Sequence, residues 1–408
     1  QGYQVLISDH HLPGAELPIA DAIVNPNQLG CEFSSKHLAG VGVAFYLLSA
    51  VRQKLRAQSW FADSGVRDPN LADYLDLVAL GTIADVVPLD HNNRILVNEG
   101  VRRIRGGRSR PGLLALIAVA GANRERLVSR DLAFGVAPRL NAAGRLEDIS
   151  LGIECLLSTE DSRAMTLAGK LDELNRERRT IEADMKVQAI AELDKQGWIT
   201  DRNALGLCLF HEEWHQGVVG IVASRIKDQT GKPVIAFARS GTDELKGSGR
   251  SVAGLHIRDA LDAIAAQNPG LVLKFGGHAM AAGLSLHPAN LNRFKAAFDT
   301  EVRRWLTAED LEQVVISDGP LGAELDLDIA HEIMEAAPWG QGFAEPVFDG
   351  QFEIVEQRIV GGSHLKMTLR PVEGDRTIDA IAFNYPGLAE GRFRHIAYCV
   401  DINRYRGQ

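Results

Sequence analysis

The sequence is organised around one stretch near its first residue, YQVLISDHH at residues 3–11. The run VLI inside it is apolar and rich in β-branched residues, which is typical of a buried strand. That run ends abruptly in Asp9, His10 and His11. In open parallel sheets the carboxyl ends of strands are where loops converge and binding sites form. The stretch therefore predicts an α/β fold with a functional site at one edge of its sheet.

These three polar residues allow two interpretations. A histidine ring nitrogen is a common ligand of divalent metals, so His10 can bind a metal while Asp9 or His11 orients it or contacts a charged substrate. Two histidines in a loop can also be satisfied by ordinary hydrogen bonds, without any ligand. The residues alone leave both interpretations open.

Asp85 is a second candidate ligand. It stands in the segment GTIADVVPL at residues 81–89, where its neighbours are apolar. Burying an unpaired carboxylate costs several kcal/mol, so such an acid needs a cation, a metal or a helix-capping role. Capping is the simpler explanation, because Asp is a good cap. The apolar flanks on both sides nevertheless favour a buried ligand.

Length and composition limit the class of protein. The chain has 408 residues, 45% of them apolar and 24% charged, which indicates a globular protein of two or three domains. Its net charge of -9 argues against binding a polyanion over the whole surface, but it allows a local groove of Arg and Lys. No apolar run reaches the roughly 18 residues that span a bilayer, and no secretion signal is visible, so we predict no membrane partner.

The cysteines and the first residues carry two further expectations. Cys31, Cys155, Cys208 and Cys399 are scattered without a Cys-x-x-Cys pair, which predicts a reducing, cytoplasmic location and no zinc or redox motif. The chain opens directly on a strand and has no initiator Met, so we expect it to be part of a longer polypeptide.

Two arginines and an asparagine stand among small residues in GVAPRLNAAGRL, residues 135–146. The small neighbours of Arg139, Asn141 and Arg145 would let a guanidinium group lie close to a phosphate, which its forked donors bind bidentately. A surface salt bridge explains either arginine alone. The two together favour an anion-binding segment.

Two glycine-rich segments predict loops that hold phosphates. KGSGRS, residues 246–251, is a glycine-spaced basic loop whose backbone could cradle a phosphate. KFGGHAMAAG, residues 274–283, is a glycine-rich turn with a histidine at its tip. Each segment alone can be a tight turn, but two of them suggest one polyanionic ligand. The residues that would contact this ligand are Ser248, Arg250, Gly276, Gly277 and His278.

The remaining pattern divides the chain into domains. Apolar residues at helical spacing predict a long connector helix over residues 159–193, and a second α/β unit follows it. After about residue 347, short alternating strands separated by Gly, Pro and Asp turns predict a small β-barrel of the oligonucleotide-binding kind, which we expect to be truncated. The predicted segments are 1–157, 158–196 (connector helix), 197–308, 309–346 (linker with a helix) and 347–408.

Five of these motifs, in this order, resemble the RecJ family of bacterial single-strand-specific exonucleases, within the wider DHH/DHHA1 phosphoesterase group. They are SDHH at 8–11, GTIAD at 81–85, PRLNAAGR at 138–145, GSGRS at 247–251 and GGH at 276–278. The resemblance covers essentially the whole chain. It implies a partial parallel-sheet DHH domain, the connector helix, an α/β DHHA1 domain and an OB-fold-like barrel, in that order.

The resemblance also implies roles for single residues. His10 and Asp85 would be metal ligands with Asp9 beside them, and His11 would lie close to the scissile phosphate. The family uses Mn²⁺ or Mg²⁺ in a two-metal centre and removes nucleotides from a 5′ end of single-stranded DNA in recombination and repair. Its members act alongside single-strand-binding protein and a helicase. The residues that would bind the strand are Arg139, Asn141, Arg145, Ser248, Arg250, Gly276, Gly277 and His278.

The sequence departs from the family pattern in one respect. Two acidic motifs, Asp-x-Asp-Ala-Asp-Gly and Asp-Asn-Gly, precede the Asp-His-His of the family and supply most of the other metal ligands, and neither occurs here. We therefore expect this polypeptide to be inactive alone. Two alternatives stay open: a phosphodiesterase for cyclic dinucleotides, short oligonucleotides or pyrophosphate, and a non-catalytic nucleic-acid-binding protein with a degenerate site.

Overall fold

The computed structural model describes residues 2–14, 16–195, 204–312, 314–322, 325–385 and 387–403. Its strands are β1 (Leu6–Ser8), β2 (Ala22–Val24), β3 (Leu207–Phe210), β4 (Val234–Arg239), β5 (Leu245–Arg250), β6 (Lys274–Gly277), β7 (Ala281–Leu286), β8 (Phe348–Val360), β9 (His364–Pro371), β10 (Ile378–Ala382) and β11 (Phe393–Tyr398). Its α-helices are α1 (Gly40–Ala57), α2 (Trp60–Ser64), α3 (Leu75–Ala84), α4 (His91–Arg105), α5 (Pro111–Val119), α6 (Ala137–Leu146), α7 (Ser150–Leu157), α8 (Asp161–Lys195), α9 (Val219–Thr230), α10 (Ile257–Gln267), α11 (Leu291–Trp305) and α12 (Leu327–Ala336).

The chain forms two compact units, neither of which is continuous in sequence. The first comprises Gln1–Pro138, Cys155–Met165 and Val315–Gln408, and the second comprises Arg139–Glu154 and Thr166–Val314. The predicted connector helix is α8, which begins two residues later than expected. Its expected end near residue 196 and the last residues of the chain, 404–408, lie outside the described residues.

The first strands of the first unit pair as predicted. β1 and β2 are parallel, with Leu6 opposite Ala22 and Ser8 opposite Val24. The expectation that β1 is buried was wrong, because Leu6 is 58% exposed. Among the described residues only β2 pairs with this strand, so nothing covers much of its apolar side.

Helices α1, α3 and α4 form the core of the first unit beside these strands, and two glycines let them approach closely. A Cβ on Gly81 would lie 2.6 Å from a Val41 methyl, and a Cβ on Gly100 would lie 2.2 Å from the carbonyl oxygen of Leu75. Neither position can therefore hold a larger residue without moving a helix. The core between the helices consists of Leu38, Val43, Leu75, Val78 and Leu96.

The terminal sheet of the first unit is antiparallel, with strand order β10-β9-β8-β11. The described strands of this sheet do not close into a barrel, because the edge strands β10 and β11 do not pair with each other. A bulge between Ile354 and Glu356 bends β8, and pairing with β9 continues on both sides of it.

The second unit is an α/β sandwich around a five-stranded mixed sheet of order β3-β4-β5-β7-β6, in which only β3 and β4 are parallel. Apolar residues cover both faces. Helices α10 and α11 bury one face around Phe294 and Phe298, and α8 and α9 bury the other around Met185 and Val222. The predicted α/β class is therefore confirmed for this unit.

Residues 246–251, predicted as a phosphate-cradling loop, instead belong almost entirely to the central strand β5. A Cβ on Gly247 would lie 2.5 Å from the ring of Phe237, and a Cβ on Gly249 would lie 2.6 Å from a methyl of Ile257. The glycines thus provide space for apolar neighbours. The alternate residues, Lys246, Ser248 and Arg250, lie on the opposite face of the strand.

None of the described helices combines the length and the apolar character that a bilayer crossing requires.

Candidate active site

The Asp-His-His segment leaves the carboxyl end of β1, as predicted, and β2 holds it in place. The backbone N–H of Asp9 donates to the carbonyl oxygen of Val24 at 3.0 Å. The side-chain amide of Asn25 donates to the His11 carbonyl oxygen at 2.8 Å, and that of Asn27 donates to the His10 carbonyl oxygen at 2.7 Å. The end of the second strand therefore fixes the backbone that carries both imidazole rings.

The Asp9 carboxylate orients His11. Its Oδ1 accepts the backbone N–H of His10 at 2.7 Å and lies 2.8 Å from Nδ1 of His11. Burial alone would raise the pKa of Asp9, but the hydrogen bonds from His11 and His10 outweigh it and hold that pKa below its ordinary value. Asp9 is therefore ionised at neutral pH and fixes the His11 ring through Nδ1.

His10 and Asp85 come together although they are far apart in the sequence. The His10 Nε2 lies 3.5 Å from the Asp85 Oδ2, and the two side chains are 17% and 41% exposed. Asp85 caps the carboxyl end of α3 with its backbone, where its N–H donates to the carbonyl oxygen of Gly81 at 3.0 Å. Its carboxylate is thus left to face the imidazole.

Close helix packing places Asp85 beside His10. The missing side chain of Gly81 lets α3 approach α1 at Val41, and the first residue of α1, Gly40, lies against the His10 ring. A Cβ on Gly40 would lie 3.6 Å from the His10 Cδ2, which is an ordinary contact. The glycines in this region therefore serve the packing of the helices.

An imidazole nitrogen and a carboxylate oxygen suit Mn²⁺ and, in part, Mg²⁺. Two adjacent ligands of an octahedral ion lie about 3 Å apart, which is close to the separation of the His10 and Asp85 atoms. Within the described ranges, no group of three or more His, Cys, Asp or Glu side chains could hold a metal ion. The pair therefore fits part of a metal site, and Asp9 faces His11 rather than joining it.

The two arginines of the 135–146 segment separate in the structure. The segment is helical rather than a loop, and residues six apart on a helix point about 120° away from each other. Arg139 is buried, and its Nε donates to the Asp172 Oδ1 at 2.9 Å. Arg145 and Asn141 are exposed. A salt bridge therefore accounts for Arg139, whereas Arg145 has a different environment.

Arg145, Ser248 and Arg250 form a cluster in the second unit. Arg250 Nη1 donates to the Ser248 Oγ at 3.1 Å, and Arg145 Nη1 donates to the carbonyl oxygen of Gly217 at 3.1 Å. Although Arg145 as a whole is exposed, desolvation of its guanidinium group by the surrounding atoms, and then the charge of Arg178, lower its pKa. Partial burial, and then the charge of Arg145, lower the pKa of Arg250. Both groups stay charged, since guanidinium does not deprotonate in proteins.

The amino terminus of α9 adjoins this cluster. A Cβ on Gly220 would lie 2.9 Å from both the Arg250 Nη2 and the Ser248 Oγ, so a glycine is needed for these side chains to reach the helix. The N–H of Gly217 donates to the His215 Nδ1 at 3.2 Å. A helix amino terminus favours negative charge, as do two guanidinium groups. The arrangement can therefore bind an anion such as a phosphate.

The glycine-histidine segment forms the predicted turn. It joins β6 and β7, and the backbone N–H of His278 donates to the Ala281 carbonyl oxygen at 2.8 Å. Gly277 has φ of +142°, and a Cβ there would lie 2.4 Å from the Ala281 carbonyl oxygen, so only glycine fits. A Cβ on Gly276 would meet nothing within 4 Å. His278 is exposed at the tip of the turn.

Family models match three segments of the chain: the DHH family N-terminal domain over residues 1–82, the DHHA1 domain over 202–304 and the RecJ OB domain over 318–408. The single-stranded-DNA-specific exonuclease RecJ of Dickeya dadantii is 52% identical over 413 residues, which cover all of this chain and 72% of that protein. The chain belongs to the RecJ family. The predicted family and the predicted order of DHH, DHHA1 and OB domains are thus confirmed.

Other RecJ proteins give the same result. RecJ of Escherichia coli is 51% identical over all of this chain and 71% of its own length. A crystal structure of RecJ from Thermus thermophilus in complex with Mn²⁺ has a TM-score of 0.81 at 32% identity, and the Mg²⁺ complex has a TM-score of 0.75. This chain spans 56% and 55% of those two crystallised chains.

Sequence reasoning missed several parts of this RecJ-family site. Asn25 and Asn27 follow the end of β2, and a polar pair at the end of a strand is the same signal that the Asp-His-His gives at the end of β1. The segment HQGVVG, residues 215–220, carries a second signal, because two glycines at the start of a helix predict close approach by a ligand or by side chains.

Proposed function

We propose that this chain is the part of a single-stranded-DNA-specific exonuclease that carries two ligands of its metal centre and a phosphate-binding cluster. The proposal depends chiefly on one observation, the 3.5 Å approach of the His10 Nε2 to the Asp85 Oδ2 at the end of β1. Membership in the RecJ family supports the substrate class. The 5′-to-3′ direction and the Mn²⁺ or Mg²⁺ requirement are part of the proposal.

The residues of this chain would divide the work between binding and chemistry. His10 and Asp85 would hold a divalent ion, which when bound activates water and stabilises the departing oxygen. Asp9 orients the ring of His11, which would contact the scissile phosphate. Arg145, with Ser248 and Arg250, would hold a phosphate of the strand by charge-assisted hydrogen bonds.

The remaining predicted contacts differ in how well the structure supports them. His278 and the adjacent Gly276 and Gly277 stand on an exposed turn that a strand could reach. Asn141 is likewise exposed. Arg139 is occupied by Asp172, so we propose that it supports α6 and leaves phosphate binding to the others.

The small-substrate alternative gains less support. The family match includes an OB domain over residues 318–408, and the relatives are exonucleases that act on single-stranded DNA. Domain limits at 1–157, 158–196, 197–308, 309–346 and 347–408, a cytoplasmic location, and cooperation with single-strand-binding protein and a helicase remain parts of the proposal that need their own tests.

The test uses 5′-labelled single-stranded DNA with the 408-residue chain and Mn²⁺. We expect the chain to bind the oligonucleotide and to release nucleotides about 10³-fold more slowly than a full-length relative, since metal-assisted steps need the complete ligand set. Release at the relative's rate would contradict the expectation of an incomplete site. Failure to bind single-stranded DNA at all would contradict the proposed substrate.

A further inference from the structure

The turn that carries Asp85 holds an unfavourable backbone conformation. Val86 follows Asp85 with φ of +58°, in the left-handed region. A β-branched residue is strained there, and such a conformation persists only where the surrounding structure over-determines it. The contacts around this turn therefore bear directly on the position of the Asp85 carboxylate.

A segment from the other end of the first unit makes these contacts. Residues 338–343, here named the clamp loop, lie between α12 and β8. The backbone N–H of Leu89 donates to the carbonyl oxygen of Gln341 at 2.7 Å. Leu89 is 2% exposed, and a Cβ on Gly340 would lie 2.7 Å from its methyl group. The clamp loop thus covers the chain four residues after Asp85.

Arg94 joins the clamp loop to the same turn. Its Nη1 donates to the carbonyl oxygen of Leu89 at 2.9 Å. Its guanidinium group lies 4.2 Å from the ring centroid of Phe343, within the range of a cation–π interaction. The Phe343 ring in turn stacks on Trp339 at 5.1 Å. Both the N–H and the carbonyl of Leu89 are therefore held by the loop or by a side chain that the loop contacts.

The clamp loop is itself anchored on both sides. The indole N–H of Trp339 donates to the Ile333 carbonyl oxygen of α12 at 2.9 Å, and the Ser129 hydroxyl donates to the Trp339 carbonyl oxygen at 2.6 Å. Glu345 pairs with Arg130 at 2.8 Å, just before the chain enters β8. A change at the start of the terminal sheet would therefore reach the Asp85 turn through few intervening residues.

We propose that the clamp loop is a positioning device that sets the Asp85 carboxylate opposite His10 and couples it to the terminal sheet. The proposal rests on the proposed metal-binding role of that pair. Phe343 and Arg94 are positioning residues, because they act on Asp85 through their contacts with Leu89 and Trp339. The sequence did not indicate this contact, because the clamp loop is far from Asp85 in the chain and has the residue pattern of an ordinary linker.

The first measurement is hydrogen–deuterium exchange, without metal, of the backbone amides of residues 85–89, which are those of Asp85, Val86, Val87 and Leu89 because Pro88 has no N–H. Phe343→Ala should raise exchange there by about tenfold, because loss of the ring frees both Arg94 and Trp339 and lowers the cost of local opening. Phe383→Ala is the matched control, since this exposed ring follows β10 and contacts His364. Unchanged exchange at 85–89, or an equal rise across the whole first unit, would overturn the proposal.

The second measurement is the Mn²⁺ concentration that gives half-maximal protection of the same amides. Phe343→Ala should raise it by about tenfold, as loss of a residue that supports a ligand does in other sites; faster exchange with an unchanged Mn²⁺ requirement would also overturn the proposal. Arg94→Gln repeats both measurements if Phe343→Ala does not fold. If Mn²⁺ protects nothing in the unsubstituted chain, the metal role of the pair fails, and the clamp is judged by the metal-free exchange.

Discussion

The metal-ligand pair and the arginine cluster are built in different ways. His10 and Asp85 stand where a strand and a helix end, and no third ligand joins them in the described part of the chain. Arg145, Ser248 and Arg250 stand on a helix and a central strand, beside the start of α9. No carboxylate of the described residues forms an ion pair with either arginine. Under the proposed function the pair would form part of a cation site and the cluster would bind an anion, so binding and catalysis should be separable.

The largest expected effect is on stability. It tests whether Arg139 has a structural role that the arginines of the cluster lack. Arg139→Ala removes one of the two arginines that pair with the buried carboxylate of Asp172 and leaves only Arg176, which should lower the free energy of unfolding by about 3 kcal/mol. Urea denaturation checks this. Arg145→Ala is the control. We expect it not to lower the free energy of unfolding, because the substitution removes the repulsion between the like charges of Arg145 and Arg178. A small effect of Arg139→Ala would erase the distinction between the two arginines.

The next effect concerns the glycines of β5. Gly247→Ala should cost about 2 kcal/mol, because its Cβ would press on the Phe237 ring. Gly276→Ala is the matched control, since a Cβ there meets nothing, and it should change stability by less than about 0.5 kcal/mol. Thermal denaturation compares them. Equal and small effects would restore the loop interpretation of residues 246–251.

A smaller effect is expected in single-stranded DNA binding. Arg145→Ala and Arg250→Ala should each weaken binding about tenfold and reduce the dependence of the affinity on salt by about one phosphate contact. Fluorescence anisotropy over a salt series measures both quantities. Arg102→Ala is the control, because this exposed arginine pairs with the exposed Glu99. Equal losses in all three variants would mean that the cluster is only part of a general charge effect.

The smallest effect is the pH dependence that Asp9 contributes. Its folded-state pKa is depressed, so its contribution is present above the unfolded pKa of about 3.8 and is lost as the pH falls through the folded value. The carboxylate is 40% exposed, so we expect only about 0.3 kcal/mol. The free energy of unfolding of Asp9→Asn should be compared with that of the unsubstituted chain between about pH 5 and about pH 3. We expect the difference between the two to decrease as the pH falls. A difference that widens on acidification would contradict this sign.

The sequence predicted those features that depend on residues close together in the chain. The strand ending in Asp9 follows from an apolar run and an abrupt polar change, and Asp85 stands out because its neighbours are apolar. The pairing of His10 with Asp85 could only be inferred from family resemblance, since it depends on α1 and α3 packing through Gly81. Neither the composition of the chain nor the spacing of its residues indicates which distant residues come into contact.

The sequence did not reveal which charged side chains are neutralised by a partner of opposite charge. Arg178 belongs to a run of charged residues in α8, but it is buried and pairs with Glu182, which also pairs with Arg225. A helical pattern shows which residues share a face, yet it does not show what covers that face. For the same reason the motif at 135–146 could not show that Arg139 is neutralised and Arg145 is not.

The most direct test of the account is pulsed electron paramagnetic resonance of Mn²⁺ bound to the 408-residue chain. The account predicts a coupling from a histidine nitrogen that disappears in His10→Ala, weakens in Asp85→Ala and persists in His215→Ala. A histidine coupling that persists in His10→Ala, or bound Mn²⁺ with no histidine coupling at all, would contradict it.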